Sequence, residues 1–277
     1  MKHMKTPLTA IILTKNEAQT IERCLKSLDF VAETIIIDDN SSDETTALAK
    51  KHGATVLSRN LNEDFAAQRN FGLEKASHDW VLFVDADEEV TSELKEAITI
   101  AVREGRQPRL TWSSLPDKID RSFVNFSAYK IKRRDYFWRT ELKYGETQKV
   151  HNHGLIRCMK KGSGHWKGKV HEQFITTQPV GTLSGFLNHY PHQTLKEFIR
   201  EINTYSTLRA KELLHAHRKT NAFQVIVYPF SKFILTYFIY LGFLDGPAGF
   251  AYAFFMSFHS FLVRAKLYQY SAFGNDR

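Results

Sequence analysis

The stretch Leu82-Phe-Val-Asp-Ala-Asp87 decides which fold this sequence predicts. Apolar residues from Trp80 to Val84 form an uninterrupted run, and aspartates follow it directly. A run of this kind and length is typical of a strand that is buried on both faces of a sheet. We therefore expect Asp85 and Asp87 to lie at the end of a buried strand.

Three more apolar runs of strand length occur earlier in the chain, at residues 8–13, 34–37 and 55–57. Segments with a helical spacing of apolar residues separate these runs. Strands that alternate with helices predict an α/β fold with a mainly parallel sheet. The carboxyl ends of parallel strands meet at one edge, where such folds bind ligands. The polar residues that follow the strands should gather at this edge: Thr14, Asn16, Asp38, Asp39, Asp85 and Asp87.

The motifs of two common nucleotide-binding loops are missing from the sequence. No Gly-x-Gly-x-x-Gly follows a strand, and the glycine-rich run 162–169 has neither the spacing of a phosphate-binding loop nor a Ser or Thr after its lysine. The predicted edge carries carboxylates instead, and carboxylates repel a bare phosphate. A nucleotide at this edge would need a divalent cation between its phosphates and the carboxylates.

Four stretches, in order along the first ninety residues, resemble glycosyltransferase family 2, whose members have the GT-A fold. They are Ile12-Leu-Thr-Lys-Asn-Glu17, Ile35-Ile-Ile-Asp-Asp-Asn-Ser-Ser-Asp-Glu-Thr45, Gln68-Arg-Asn-Phe-Gly72 and Leu82-Phe-Val-Asp-Ala-Asp87. The later run Trp166-Lys-Gly-Lys-Val-His-Glu172 is similar to one in bacterial lipopolysaccharide inner-core β-glucosyltransferases. The resemblance implies a GT-A type nucleotide-sugar-binding fold and an enzyme that transfers a sugar from a nucleoside diphosphate.

The resemblance also implies a role in nucleotide binding for five residues after the first two strands. Thr14, Asn16 and Glu17 would line the nucleotide pocket. Asp38 would form a hydrogen bond with the base, which we expect to be uracil, and Asp39 could assist it. The implied donor is therefore a UDP-sugar.

Three further positions match residues that hold the diphosphate end of the donor. Arg69 would approach the base or the diphosphate, Asp85 would contact the ribose or the metal, and Asp87 would ligate Mg²⁺ or Mn²⁺. Taken alone, each of these residues also has a purely structural interpretation, such as a surface ion pair for Arg69. The match of four motifs together favours the nucleotide-sugar site.

Sugar transfer also needs a base that accepts the proton of the acceptor hydroxyl. Glu172 is the first candidate, because it matches the His-Glu step of the family. His171 is the second candidate, and it could instead ligate the metal or contact the diphosphate. One base and a direct displacement would invert the anomeric centre, so that an α-linked donor gives a β-linked product.

Charge is distributed unevenly along the chain, whose net charge is +8. Residues 1–102 carry 11 Lys and Arg against 18 Asp and Glu, whereas residues 103–172 carry 17 against 7. A basic segment next to the proposed base predicts an anionic acceptor. A nucleic-acid binder would also be basic, but the zinc-finger, basic-zipper and RNP-type motifs are missing. Four aromatic residues could stack on the acceptor sugars or belong to the core: Trp112, Phe137, Trp138 and Trp166.

Histidines offer an alternative interpretation, because six of the 12 lie between residues 151 and 192. A zinc hydrolase site would use such residues, yet the sequence contains neither a His-Glu-x-x-His motif nor the Cys and His spacing of a structural zinc site. We interpret these histidines as polar residues around a sugar-phosphate pocket or on strand edges.

The last hundred residues differ in composition from the rest. Residues 194–219 predict a long amphipathic helix. Residues 223–263 contain 14 of the 36 aromatic residues, and Lys232 and Asp245 are their only charged side chains. Three interpretations stay open: a patch at a membrane interface, a helical subunit interface or cap, and a transmembrane hairpin.

These observations predict a catalytic domain over residues 1–192 and a helical region over 193–277. Within the domain, residues 1–102 would bind the nucleotide-sugar and the metal, and residues 103–192 would bind the acceptor. The predicted enzyme is a metal-dependent inverting hexosyltransferase that moves glucose, or another hexose, from a UDP-sugar to an anionic lipid-linked oligosaccharide such as the lipopolysaccharide inner core. The alternatives are a polyprenyl-phosphate or capsule acceptor, and a non-catalytic nucleotide-sugar-binding module.

Location is predicted from the cysteines and from the N-terminus. The chain has two cysteines, Cys24 and Cys158, and its early apolar run is too short for a signal peptide. We expect a cytoplasmic protein that is peripheral on the cytoplasmic face of the inner membrane and that could form a homo-oligomer.

Overall fold

The computed structural model describes residues 4–104, 125–169, 172–191 and 194–274. Contacts divide the chain into two compact units. The first unit comprises Met1–Arg133 and Asn152–His189, and the second comprises Arg134–His151 and Tyr190–Arg277. The second unit thus includes an internal segment as well as the C-terminal residues.

The first unit is built on a mixed sheet whose strand order is β3-β2-β1-β4-β8-β6-β11-β5. Strands β1, β2, β3 and β4 are parallel, whereas β4–β8, β8–β6 and β11–β5 are antiparallel pairs. The strands are β1 (Thr6–Thr14), β2 (Val31–Asp38), β3 (Thr55–Ser58), β4 (Trp80–Asp85), β5 (Glu88–Val90), β6 (Ala128–Phe137), β7 (Thr140–Leu142), β8 (Leu155–Lys160), β9 (His165–Lys167), β10 (Gln173–Ile175) and β11 (Val180–His189).

Four helices cover the parallel strands on both faces. They are α1 (Ile21–Ser27), α2 (Thr45–Lys51), α3 (Phe65–Lys75) and α4 (Ser92–Glu104). Alternate residues of β1 enter different clusters: Ala10 and Ile12 pack with α1, α2 and α4, whereas Ile11 packs with α3 and the β9–β10 hairpin. All three side chains are fully buried, as expected for a strand covered on both faces.

Helix α3 approaches β1 closely because position 72 is glycine. A Cβ atom at Gly72 would lie 2.7 Å from Cγ2 of Ile11, inside the contact distance of real Cβ atoms. The helix could not pack at this depth with a larger residue. The close packing places Arg69, one turn earlier on α3, against the carboxyl end of the sheet.

The second unit is mainly helical, and it also contains β7 and the end of β6. Its helices are α5 (Gln148–His153), α6 (Leu195–His215), α7 (Ala222–Ile234) and α8 (Gly246–Phe273), and α7 continues as a π-helical segment over Leu235–Ile239. Thr194 and Glu197 form a capping box that starts α6. The core of this unit contains Phe137, Phe198 and Ala248.

Helix α6 confirms the predicted C-terminal helix but ends four residues earlier than its predicted end at residue 219. The backbone turns at His217, whose φ is +53°, and this conformation cannot continue an α-helix. Within the described residues, the stretch Ala222–Ile239 is long and apolar enough to cross a membrane, and only 6% of it is buried.

Candidate active site

The register of the parallel strands brings predicted site residues to one edge. Thr14 at the end of β1 lies opposite Asp38 at the end of β2. One residue earlier on β1, Leu13 lies opposite Asp85 at the end of β4. The carboxyl ends of three strands therefore place Thr14, Asp38 and Asp85 at the same edge of the sheet.

Asp38 organises the loop after β2. Its side chain is almost fully buried and accepts a hydrogen bond from the Thr14 hydroxyl at 3.0 Å. It also accepts hydrogen bonds from the Ser41 backbone N–H at 2.9 Å and from the Ser41 hydroxyl. Both carboxylate oxygens therefore have partners that fix the Asp38 carboxylate in one orientation.

Asn16 connects the loops that follow β1 and β2. Its φ is +59°, in the left-handed region that asparagine tolerates better than most residues. Its backbone N–H donates to the Ser41 hydroxyl at 2.9 Å, and its side-chain oxygen accepts from the Ser42 N–H at 2.8 Å. The two loops are thus held together before any ligand binds.

Two other predicted nucleotide-pocket residues have local partners. Asp39 forms an ion pair with Lys15 at 2.6 Å and accepts a hydrogen bond from the Leu61 N–H at 2.9 Å. The Glu17 carboxylate accepts a hydrogen bond from the Thr20 hydroxyl at 2.6 Å. The predicted roles of Asp39 and Glu17 in nucleotide binding stay predictions.

Asp85 lies between two arginines. Arg157 of β8 donates to both of its oxygens, with distances of 3.2 Å to Oδ1 and 2.7 Å to Oδ2. Arg69 of α3 donates to Oδ1 at 3.0 Å. Burial raises the pKa of a carboxyl group, but the Arg157 and Arg69 guanidinium groups outweigh burial and hold the pKa of Asp85 well below its usual range.

Glu88 extends this cluster into the interior. Its side chain is fully buried, and Oε2 accepts a hydrogen bond from the Asp85 backbone N–H at 2.9 Å. Arg157 approaches Oε1 at 3.4 Å, so one arginine bridges both carboxylates. Burial raises the pKa of Glu88 above its usual value, and the positive charge of Arg157 offsets only part of that effect.

Glu172, the candidate base, reaches the same cluster through Arg69. The Arg69 Nε donates to Glu172 Oε1 at 2.7 Å while its Nη2 donates to Asp85. The Arg69 guanidinium lies 4.9 Å from the ring centre of Trp166 and 5.5 Å from that of Phe83. A single buried arginine, fixed by two aromatic rings, thus joins the predicted base to the predicted diphosphate end. His171, the alternative base, lies outside the described residues.

Asp87 pairs with a histidine that is distant from it in the sequence. Its Oδ2 lies 3.1 Å from Nε2 of His189, the last residue of β11. Burial raises the pKa of Asp87, but the His189 charge and hydrogen bond outweigh it, so that the pKa is below its usual value. The Asp87 carboxylate is a ligand type that suits Mg²⁺ or Mn²⁺, an imidazole such as that of His189 suits softer transition metals better, and a diphosphate would supply further oxygen ligands. Among the described residues, no group of three or more His, Cys, Asp or Glu side chains could hold a metal ion.

The model of a family described as "Glycosyl transferase family 2" matches residues 9–149, which include the strands and loops described above. The chain belongs to glycosyl transferase family 2. This confirms the family to which the four sequence motifs pointed.

Two similar proteins are also described as glycosyltransferases. The lipopolysaccharide core biosynthesis glycosyltransferase LpsC of Rhizobium meliloti (strain 1021) is 30% identical over 273 residues, which cover 96% of this chain and 93% of that protein. The uncharacterized glycosyltransferase RP128 of Rickettsia prowazekii (strain Madrid E) is 26% identical over 268 residues, which cover 94% of this chain and 86% of that protein. As a member of the family, the chain is a glycosyltransferase.

A solved structure shares the fold of this family 2 chain. The mannosyltransferase PcManGT from Pyrobaculum calidifontis, in complex with GDP-Man and Mn²⁺, aligns with a TM-score of 0.52 and 14% identity. The alignment covers 96% of this chain and 88% of that structure. The likeness confirms the predicted GT-A type α/β fold with its helical C-terminal region.

Sequence reasoning missed Arg157 and Glu88 of the charged cluster, and it included His189 only as one of six histidines expected around a sugar-phosphate pocket or on strand edges. Arg157 offered a signal, because it interrupts the apolar strand β8, and a charged residue in a buried strand needs a buried partner. Glu88 and His189 offered no comparable signal, because their partners depend on how β5 and β11 pair.

Aromatic residues differ in whether they are available to stack on a sugar. Trp166 and Phe137 are buried, and Trp166 packs edge-on against Phe83 and Phe174, so both belong to the core. Trp138 is 55% exposed. Trp112 lies outside the described residues. Of the two alternatives left open for these residues, burial therefore favours the core for Trp166 and Phe137.

Proposed function

We propose that this glycosyltransferase transfers a hexose, with inversion, from a UDP-sugar to an anionic lipid-linked acceptor. One observation carries the proposal: Arg69 binds Asp85 and Glu172 at once, at the carboxyl edge of the parallel strands. This edge is where α/β folds bind nucleotides. A donor and an acceptor can meet there within reach of one carboxylate base.

The nucleoside end of the donor would bind at the loops joined by Asn16. Asp38 and Thr14 line this end. The uracil ring has an N–H group that can donate a hydrogen bond to a carboxylate such as that of Asp38. Ser41 and Thr14 already fix the Asp38 carboxylate, so little ordering is needed when the base binds. A carboxylate held ready for the base in this way favours a uridine nucleotide. The glucose unit of the donor is proposed from the family resemblance alone.

The diphosphate end of the donor would lie beside Asp85 and Asp87. Asp87 and His189 are the residues that would hold a divalent cation. When bound, the cation supplies positive charge that neutralises the departing diphosphate. Arg157 and Arg69 hold the Asp85 carboxylate still beside this position.

Glu172 would accept the proton of the acceptor hydroxyl. The acceptor oxygen then forms a bond to the anomeric carbon while the bond from that carbon to the diphosphate oxygen breaks, and the electron pair leaves with UDP. Arg69 binds Oε1 of Glu172 and so orients the carboxylate. Oε2 takes no part in this ion pair and would be the oxygen that accepts the proton. A single displacement of this kind inverts the anomeric centre.

The acceptor is proposed from charge and from a relative. Residues 103–172 are strongly basic, which suits phosphorylated or acidic sugars. The relative LpsC, which aligns along 96% of this chain, is named for lipopolysaccharide core biosynthesis. We take the lipopolysaccharide inner core as the acceptor and the cytoplasmic face of the inner membrane as the place of reaction.

Release of UDP from UDP-sugars tests this proposal. The purified protein is incubated with Mg²⁺ or Mn²⁺ and de-lipidated core oligosaccharide, and UDP is measured over time. We expect Glu172→Gln to release UDP at least about a hundredfold more slowly, since a positioned base contributes ~10²–10⁴ in rate. Glu74→Gln, an exposed glutamate on α3, is the matched control and should keep the wild-type rate. Donor binding without UDP release by any acceptor would support a non-catalytic module instead.

A further inference from the structure

Helix α7 exposes a row of large apolar side chains. Phe223, Ile226 and Phe230 are 72%, 70% and 68% exposed. Their spacing of three and four residues puts them on one side of the helix. None of the residues of α7 is buried. Proteins in water rarely expose such a row of large apolar side chains unless a partner or a membrane binds to it.

Helix α8 carries a second row. Phe250, Phe254 and Phe258 follow one another at intervals of four residues and are all exposed. The two helices pack together, because Phe233 of α7 contacts Phe250 at 5.8 Å between ring centres, and the Ser257 hydroxyl donates to the Pro229 carbonyl at 2.6 Å. We call Phe223, Ile226, Phe230, Phe250, Phe254 and Phe258 the aromatic surface.

Charged side chains near the aromatic surface are mainly basic, although Lys232 of α7 forms an ion pair with Glu146 at 2.5 Å. Between residues 213 and 274, Asp245 is the only acidic residue, and its carboxylate accepts the backbone N–H groups of Lys143 and Tyr144. Arg218 and Lys219 are exposed in the turn directly before α7. A basic turn followed at once by an exposed apolar helix matches the chemistry of an anionic lipid surface, with its phosphates above its acyl chains.

We propose that the aromatic surface docks the protein on an anionic bilayer, with the side chains of α7 in the headgroup region and Arg218 and Lys219 on lipid phosphates. This deepens the proposed function, on which it rests, because it names the surface that brings the enzyme to a lipid-linked acceptor. A second copy of the chain is the competing occupant, and a two-fold interface through the same apolar row would appear as a dimer in solution.

A spanning helix fits less well than an interfacial one. The apolar stretch has 18 residues, at the lower limit for a span, and contains Pro229. Lys232 lies within the stretch and forms an ion pair with Glu146, and charged side chains are costly inside a bilayer. The bilayer surface is therefore the occupant that agrees with both the composition and the charge.

Vesicle co-sedimentation of the full chain tests the proposal. Vesicles of phosphatidylglycerol and phosphatidylethanolamine are compared with vesicles of phosphatidylcholine. We expect the wild type to bind the anionic vesicles, and Phe223→Ser/Ile226→Ser/Phe230→Ser to bind them about tenfold or more weakly. Leu155→Ser/Ile175→Ser, which replaces equally apolar residues that are 42% and 43% exposed elsewhere, is the matched control and should bind as the wild type does.

A charge variant tests the same surface without touching the apolar row. Arg218→Glu/Lys219→Glu should bind anionic vesicles about tenfold more weakly and leave binding to neutral vesicles unchanged. Absence of wild-type vesicle binding would overturn the proposal, as would resistance to alkaline carbonate extraction from cell membranes. A dimer, seen by light scattering and lost in the triple variant, would overturn it in favour of a second copy.

The vesicle-binding result can be distinguished from the result of the UDP-release assay that tests the proposed function. Vesicle binding needs no turnover, so it can succeed even if UDP release fails. Conversely, the triple variant should release UDP at the wild-type rate with a water-soluble acceptor. An equal loss of UDP release with that acceptor would mean that these side chains serve the fold or the reaction rather than the bilayer, and would overturn the docking proposal.

Discussion

At the carboxyl edge of the parallel sheet, charged side chains are buried and held in pairs, whereas on the aromatic surface apolar side chains are exposed. Arg69, Arg157, Asp85 and Glu88 form an interior cluster of ion pairs. Phe223 and its neighbours on the aromatic surface face solvent instead. Each region reverses the usual rule that apolar groups are inside and charges outside.

Neither arrangement is the one that folding stability favours. Buried ion pairs often contribute no more to stability than well-packed apolar residues would, and exposed apolar rows favour aggregation. The two regions differ in what a substitution should do. At the sheet edge, substitutions should damage folding and catalysis together, and on the aromatic surface they should leave folding intact.

The largest effect should follow from Arg69→Met. The substitution leaves the Asp85 and Glu172 carboxylates without a shared guanidinium, and one unpaired buried charge costs about 3–5 kcal/mol. We expect a large fall in the urea midpoint and UDP release at background level. If this variant kept the wild-type stability and the wild-type rate, the claim that the charged cluster serves both folding and catalysis would be contradicted.

Arg157→Lys should have a smaller effect that separates charge from geometry. The lysine keeps one positive charge but cannot donate to both oxygens of Asp85, as Arg157 does. We expect the KM for the UDP-sugar to rise more than kcat falls, because Asp85 would be less well positioned for the donor. Arg133→Lys serves as the control, since Arg133 is partly exposed and approaches Glu88 only at 3.6 Å. Equal effects of the two substitutions would show that only net charge matters.

The smallest effect on folding should come from Phe230→Ser. This side chain is 68% exposed, and substitutions at such positions change the free energy of unfolding by about 0.5 kcal/mol or less. Urea unfolding of the full chain measures the difference, with Phe198→Ala as the contrast. Phe198 lies in the core of the same unit, and its truncation should cost about 3–5 kcal/mol. A large loss for Phe230→Ser would assign this residue to the fold.

Patterns within the sequence predicted the parallel half of the fold well, because it depends on local signals. The apolar runs at residues 8–13 and 80–84 are buried strands, and the segments with helical spacing between the runs are helices α1, α2 and α3. Polar residues after parallel strands must meet at one edge, which is why Thr14, Asp38 and Asp85 could be grouped before the structure was known.

The rest of the site depends on long-range pairing that no local pattern encodes. Arg157 is 72 residues from Asp85 in sequence, and the two meet only because β8 lies antiparallel beside β4. The indole of Trp166 was an open choice between a sugar platform and the core, and its burial against Phe83 decided it. The extent of exposure on α7 likewise depends on tertiary packing, so composition alone left three interpretations open.

Calorimetric titration of UDP, with and without Mn²⁺, tests the central claim most directly, namely that the diphosphate of the donor binds beside Asp85 and Asp87. We predict that Mn²⁺ tightens UDP binding by about tenfold or more in the wild type, and that Asp87→Asn abolishes this gain. Asp79→Asn, an exposed aspartate just before β4, should retain it. Equal UDP affinity with and without Mn²⁺, or a gain that survives Asp87→Asn, would contradict the account.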